Sequence, residues 1–197
     1  MTARTGMTDL IASLRGMTNA GTADYTIGST AYWSDDQLQD KLDAHRLDFY
    51  SEELPCITAI EGGLVVYKTF RSPYRNLESG TVNFLLVDFQ GTPAGTADYT
   101  ADYFAGVVTF TADQAAKQWW LTGRSYDVYA AAADIWRMKA AHASETSFDF
   151  STDNHSIKGS NVPMQCLKMA DYYEQQSLVS SLKVTGGYSV LMERSDT

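Results

Sequence analysis

The residues most able to do chemistry are four aspartates crowded into one stretch, Asp35, Asp36, Asp40 and Asp43. On a helix, Asp36, Asp40 and Asp43 stand at i, i+4 and i+7 and share a face. That spacing could hold a divalent cation or support acid–base work. The same spacing also describes a solvated acidic face, and Lys41 and Arg46 interleave with the acids as such a face would have them. His45 falls on the apolar stripe of the same segment, which points to a partly buried, hydrogen-bonded ring. Cys56 and Cys166 lie far apart and have no metal-type spacing, and His45, His142 and His155 are isolated from them. The expectation is two small buried thiols and no metal or other cofactor. Trp119-Trp120 could stack on sugars or bases, but aromatic residues concentrate equally in cores and interfaces. No Walker loop, GxGxxG or GxSxG is present, so the sequence predicts no enzyme.

Net charge is −9, divided as −5 over 1–55, −1 over 56–124 and −3 over 125–197. An acidic chain does not grip phosphates, which need clustered Lys and Arg. No apolar run reaches the ~20 residues of a bilayer span. The first residues, MTARTGMTDLIASLRGM, contain no apolar signal core, so the expectation is a product that stays in the cytoplasm where it is made.

These residues need elements to position them. Leu10, Ile11, Leu14 and Met17 form the stripe of a short helix over 7–17. A Gly/Thr/Ala-rich connection covers 18–30. Ser34 and Gln37 make a capping box, with Asp35 and Asp36 in the first turn. The helix they start is expected to run to about Glu53, before Pro55, with Leu38, Leu42, His45 and Phe49 on one face. The period then changes. Residues 56–70 predict a hairpin around Gly62-Gly63, 82–89 a strand, 98–110 a strand pair turning at Ala105-Gly106, and 119–121 a short strand. After Gly123 a helix capped by Ser125 or Asp127 runs to about Ser144, with Tyr126, Tyr129, Ala130, Ala133, Trp136 and Ala140 along its stripe. A polar linker over 147–160 precedes a last helix over about 161–180. In 181–197, Leu182, Val184, Tyr188, Val190 and Leu191 suggest strand material without a sheet of its own.

The expected class is α+β: a small helical bundle with an inserted antiparallel β subdomain and an extended C-terminal tail. Its parts are 1–55 and 125–180 for the helices, 56–124 for the insertion and 181–197 for the tail.

The segment YWSDDQLQDKLDAHRLDF at 32–49 resembles an early helix of the head–tail adaptor, connector or head-completion proteins of long-tailed double-stranded DNA phages. YDVYAAAADIWRMKAAHA at 126–143 and FDFSTDNHSIKGSNVPMQCLKMADYYEQQS at 148–177 resemble that family's C-terminal half. There, an Ala-rich helix, a polar segment and a helix with paired Tyr follow one another. DYTADYFAGVVTF at 98–110 resembles a pattern common in phage structural proteins. The insertion at 56–124 departs from the compact all-helical adaptors.

The resemblance implies a non-enzymatic virion protein of the phage neck. It would be a ring subunit, twelve-fold in the family, that docks on the portal, extends the DNA channel and receives a stopper or tail-terminator protein. Genomic DNA would pass through without sequence-specific binding, and no membrane is involved. On this reading Leu182, Val184, Tyr188, Val190 and Leu191 form a portal-binding tail. Asp36, Asp40 and Asp43 would line the channel, and Tyr126, Tyr129, Ala133, Trp136 and Tyr173 would face a neighbouring subunit. A tail-completion or stopper protein and a carbohydrate-binding module are the alternatives.

Overall fold

The computed structural model describes residues 3–146, 149–152, 155–158 and 161–185. The class is α+β, with four α-helices and antiparallel sheets among these residues. After a short 3-10 turn, α1 spans Thr8–Thr18, and a small hairpin pairs β1 (Tyr25–Ile27) with β2 (Thr30–Tyr32). Helix α2 covers Asp35–Ala44. Both hydrogen bonds of the expected capping box are made, Gln37 N to Ser34 Oγ and Ser34 N to Gln37 Oε1.

The helix expected over 34–53 ends at Ala44. Arg46–Glu53 is strand β3, paired antiparallel with β9 (Trp119–Tyr126) from Arg46↔Tyr126 to Glu53↔Trp120. Phe49 fits a helical stripe with Leu38, Leu42 and His45 by coincidence of spacing. Tertiary pairing wins over that local period, because Phe49 is buried in the β core rather than beside Leu42. The short strand expected at 119–121 likewise extends to Tyr126, in the centre of the sheet β3-β9-β6, with β6 at Phe84–Asp88. At Gly123 a side chain would press on Asn83 O at 3.0 Å and Phe49 Cζ at 3.1 Å, so the missing Cβ makes room for the flanking Phe49.

The second sheet has the order β4-β5-β8-β7, with β4 at Cys56–Glu61, β5 at Leu64–Arg71, β7 at Tyr99–Asp102 and β8 at Val107–Phe110. The Gly62-Gly63 hairpin and the Gly106 turn fall where the sequence predicts them. Both Gly62 and Gly63 have positive φ, as does Gly106. The inner faces of the two sheets meet: Phe110 stacks on Trp119 at 4.7 Å, and Phe84 meets Tyr103 edge-on at 5.1 Å. Phe49, Phe70, Phe84, Leu86, Val108 and Leu121 fill the space between.

Helix α3 (Val128–Thr146) follows β9 directly. Asp127 caps it, its Oδ1 accepting from Tyr129 N and Ala130 N. The linker expected over 147–160 contains a second small hairpin, β10 (Asp149–Thr152) with β11 (His155–Lys158). Helix α4 spans Asn161–Thr185 and packs antiparallel on α3, as the contacts Ser177 to Asp127 and Tyr173 to Tyr129 show. The strand expected from 181 is therefore helix through Thr185, and Leu182 and Val184 lie in it. Tyr188, Val190 and Leu191 lie outside the described residues.

A helical core of Leu10, Ile11, Leu14, Trp33, Leu38, Leu42, Ala131 and Ile135 is distinct from the β core. Strand β9 serves both, since Trp119 and Leu121 belong to the second and Tyr126 to the first. Among the described residues no helix is long and apolar enough to cross a membrane.

Candidate functional site

The densest polar constellation is one that sequence spacing did not reveal. Arg4, Asp43, Glu78, Asn83, Arg124 and Tyr126 meet where the helical and β parts join. Glu78 is fully buried. Its Oε1 accepts from Arg4 Nε at 2.9 Å and Asn83 Nδ2 at 2.8 Å, and its Oε2 accepts from Tyr126 Oη at 2.5 Å. Arg124 approaches Oε2 at 3.5 Å. Arg4 also forks onto Asp43, Nη1 to Oδ2 at 2.9 Å and Nη2 to Oδ1 at 2.6 Å. The backbone closes up beside it. Ser79 N donates to Gly6 O at 3.2 Å, and a side chain at Gly6 would collide with Ser79 O.

The charges set one another. Burial pushes the Asp43 carboxyl up, but the hydrogen bonds and charge of Arg4 outweigh it and hold the group below the ordinary aspartate value. Burial, with Glu78 beside it, raises the Tyr126 phenol, which stays protonated and donates. Two cations and a phenol thus satisfy a carboxylate out of reach of water. Such an arrangement ties the N-terminal segment, α2, the loop before β6 and β9 to one another.

The acidic face expected of Asp36, Asp40 and Asp43 is therefore divided. Asp43 is committed to Arg4 and Tyr126, while Asp40 is exposed. Asp36 borders a shallow cleft of about 560 Å³ between α1 and α2, which Arg4 and Arg15 also line. Arg15 is tied to Asp35 at 2.6 Å. Asp43 is thus taken up by contacts within the subunit, while Asp36 and Asp40 stay at the surface of α2. Among the described residues no group of three or more potential ligands could hold a metal ion.

The residues expected to face a neighbouring subunit are used inside this one. Tyr126 and Ala133 are buried. Trp136 Nε1 and Tyr173 Oη both donate to Met17 O at the end of α1, at 3.3 and 2.9 Å. Tyr129 stacks on Tyr173. These side chains knit α1, α3 and α4 together; Tyr126 and Ala133 are buried, while Tyr129, Trp136 and Tyr173 remain partly exposed. His45 is hydrogen-bonded as expected, Nε2 to Asp134 Oδ2 at 2.9 Å. Burial raises both cysteine thiols, which makes them poor nucleophiles.

Trp119 is only 5% exposed, lying against Phe110 with the Lys117 ammonium 5.1 Å from its ring centre. Neither face is open for a sugar ring.

What remains open is apolar. On the β4–β5 hairpin, Ile57 near the base and Ile60, Leu64 and Val65 toward the turn are 46% to 77% exposed. On α4, Val162, Met164, Leu167, Met169 and Tyr172 are 36% to 57% exposed, while Cys166 and Ala170 are buried. The hairpin around Gly62-Gly63 was legible in sequence, but the exposure of its apolar residues was not. Arg4 and Glu78 carried no such signal, because 74 residues separate them.

Comparisons of the chain with protein-family models, with curated proteins and with solved structures found no match.

Proposed function

We propose that this chain is a non-enzymatic subunit of the adaptor ring in the neck of a long-tailed phage, docked on the portal and carrying a stopper or tail protein. The observation that carries the reading is the set of exposed apolar residues on α4. Helix α4 belongs to the segment in which the adaptor resemblance is most detailed, the Ala-rich helix, polar segment and Tyr-bearing helix. Its inner side already covers α3, yet Val162, Met164, Leu167, Met169 and Tyr172, spread over its flanks and outer side, remain 36% to 57% exposed. Exposed apolar surface on this scale marks a protein interaction site. A ring subunit needs it, since it makes a different contact with each neighbour. The polar constellation supports the non-enzymatic part, because its groups are paired with one another around the buried Glu78.

The seven strands of the two packed sheets favour one second reading, a tail-completion or stopper protein of the same neck. Negative-stain imaging after mixing with purified portal separates the two. An adaptor forms a ring on portal alone. A stopper binds only portals that already carry an adaptor. A chain that binds neither assembly refutes both.

A further inference from the structure

Where β6 and β8 end and β9 begins, the β part holds a cleft of about 280 Å³. The loop between β6 and β7 contributes Gly95 and Asp98 to its lining, and the segment between β8 and β9 contributes Lys117. Asp88, Phe110 and Trp119 are the buried residues of the lining, 6%, 3% and 5% exposed. Mouths of β structures that combine an apolar lining with a few convergent polar groups are common ligand sites.

The polar groups here are unequally satisfied. The Asp88 carboxylate is saturated. Its Oδ1 accepts from Gln90 N and Thr92 N, each at 2.9 Å, and its Oδ2 accepts from Lys117 Nζ at 3.0 Å. The Trp119 ring has Phe110 stacked on it and the Lys117 ammonium over it, but its edge is unmet. Trp119 Nε1 is buried and has no hydrogen-bond partner, a costly state for an N–H donor. Asp98 is exposed, and its backbone pairs with Gly95 and Thr111. Among the described residues nothing pairs with its carboxylate. Asp98 Oδ2 lies 2.6 Å from where a Cβ on Gly95 would stand, so the bare backbone of Gly95 makes room for that carboxylate. Two carboxylates and one ammonium leave the cleft a net negative charge. Its unmet needs are a cation for Asp98 and an acceptor for Trp119.

We propose that this cleft binds a small primary amine that carries a carbonyl oxygen a few bonds from its nitrogen. The ammonium pairs with Asp98, and the carbonyl oxygen accepts from Trp119 Nε1. A neutral oxygen suits that position, because Asp88 already neutralises Lys117 beside it. No contact with a portal or a neighbouring subunit enters the argument, so the site stands apart from the neck reading.

Nuclear magnetic resonance of the ¹⁵N-labelled full chain tests it through the indole N–H signals. The Trp119 signal is identified by its loss in Trp119→Phe, or by through-bond assignment of the wild type if that variant does not fold. Glycinamide or its longer homologue β-alaninamide, titrated into the millimolar range, should shift this signal downfield to saturation. Propionamide, which lacks the amine, should not. Asp98→Asn should weaken the binding about tenfold or more, as expected for a lost charged hydrogen bond. Gly95→Ala should weaken it by displacing the Asp98 carboxylate. Both positions are exposed, so both variants should keep the wild-type circular dichroism. The proposal is overturned if neither amine gives a saturable shift, if propionamide acts as well as they do, or if Asp98→Asn binds like wild type.

Discussion

The joint around Glu78 and the β4–β5 hairpin arm around Ile60 invert the usual placement of residue types. The joint buries the Glu78 carboxylate, gripped by two partly exposed guanidinium groups, where a core would place an apolar side chain. The arm puts isoleucine, leucine and valine in water where a surface would place charge. Burying charge requires many partners at once, and Glu78 has four, drawn from the N-terminal segment, the loop before β6, and β9. That side of the molecule is specified by this chain alone. The arm has few intramolecular partners, and Ile60, Leu64 and Val65 stand exposed on it. The polar network tells what must stay together; the apolar tip tells where the molecule is unfinished.

The sharpest way to break the comparison is to remove the β part altogether. Joining Pro55 to Ser125 deprives β3 of most of β9 and removes Glu78 from beneath Arg4. The product should show no cooperative thermal transition; a sharp transition would mean that the helical part stands alone. Arg4→Met comes next, because it leaves Glu78 buried with its closest cation gone. Breaking a buried pair costs about 3–5 kcal/mol, readable as a lower urea midpoint. A loss within about 0.5 kcal/mol would show that Arg124 and Tyr126 suffice without it.

A smaller effect attaches to Asp43 and acid. Its folded value lies below the ordinary one, so its contribution is complete above the unfolded aspartate pKa of about 4 and is lost as pH falls toward the folded value. The stability gap between wild type and Asp43→Asn, measured by urea titration, should narrow as pH drops through this window. A gap independent of pH would remove the Arg4–Asp43 pair from the account. The smallest effect belongs to the arm. Ile60→Ser should leave monomer stability within about 0.5 kcal/mol of wild type, and a large loss in the same titration would mean that the arm is packed within the subunit.

The sequence made some of this legible and hid the rest for physical reasons. Local chemistry could be read: the Ser34–Gln37 box, the Gly62-Gly63 and Gly106 turns, and the helix that Asp127 starts. Strand β3 was hidden because Phe49 fits a helical period as well as an extended one, and only its partner β9 decides between them. The hairpins at 25–32 and 149–158 lack apolar alternation strong enough to announce a strand. The joint was hidden by distance along the chain, since a guanidinium at position 4 has no local mark of a carboxylate at 78. Helical spacing puts Met164, Leu167, Ala170, Tyr173 and Ser177 of α4 on one stripe, of which Ala170, Tyr173 and Ser177 do turn inward while Met164 and Leu167 stay exposed.

Strand β9 has a consequence for synthesis. It completes the sheet begun by β3, and Tyr126 and α3 complete the core begun by α1 and α2. Neither part can close until residues near 119–135 have left the ribosome. The nascent chain must meanwhile carry its apolar arm, made early, without the sheet that anchors its base. Closure joins segments far apart in sequence, a topology that folds slowly. The growing chain is thus exposed to other copies of itself before it has a finished surface, and chaperone demand should fall on the interval between translation of β5 and of α3.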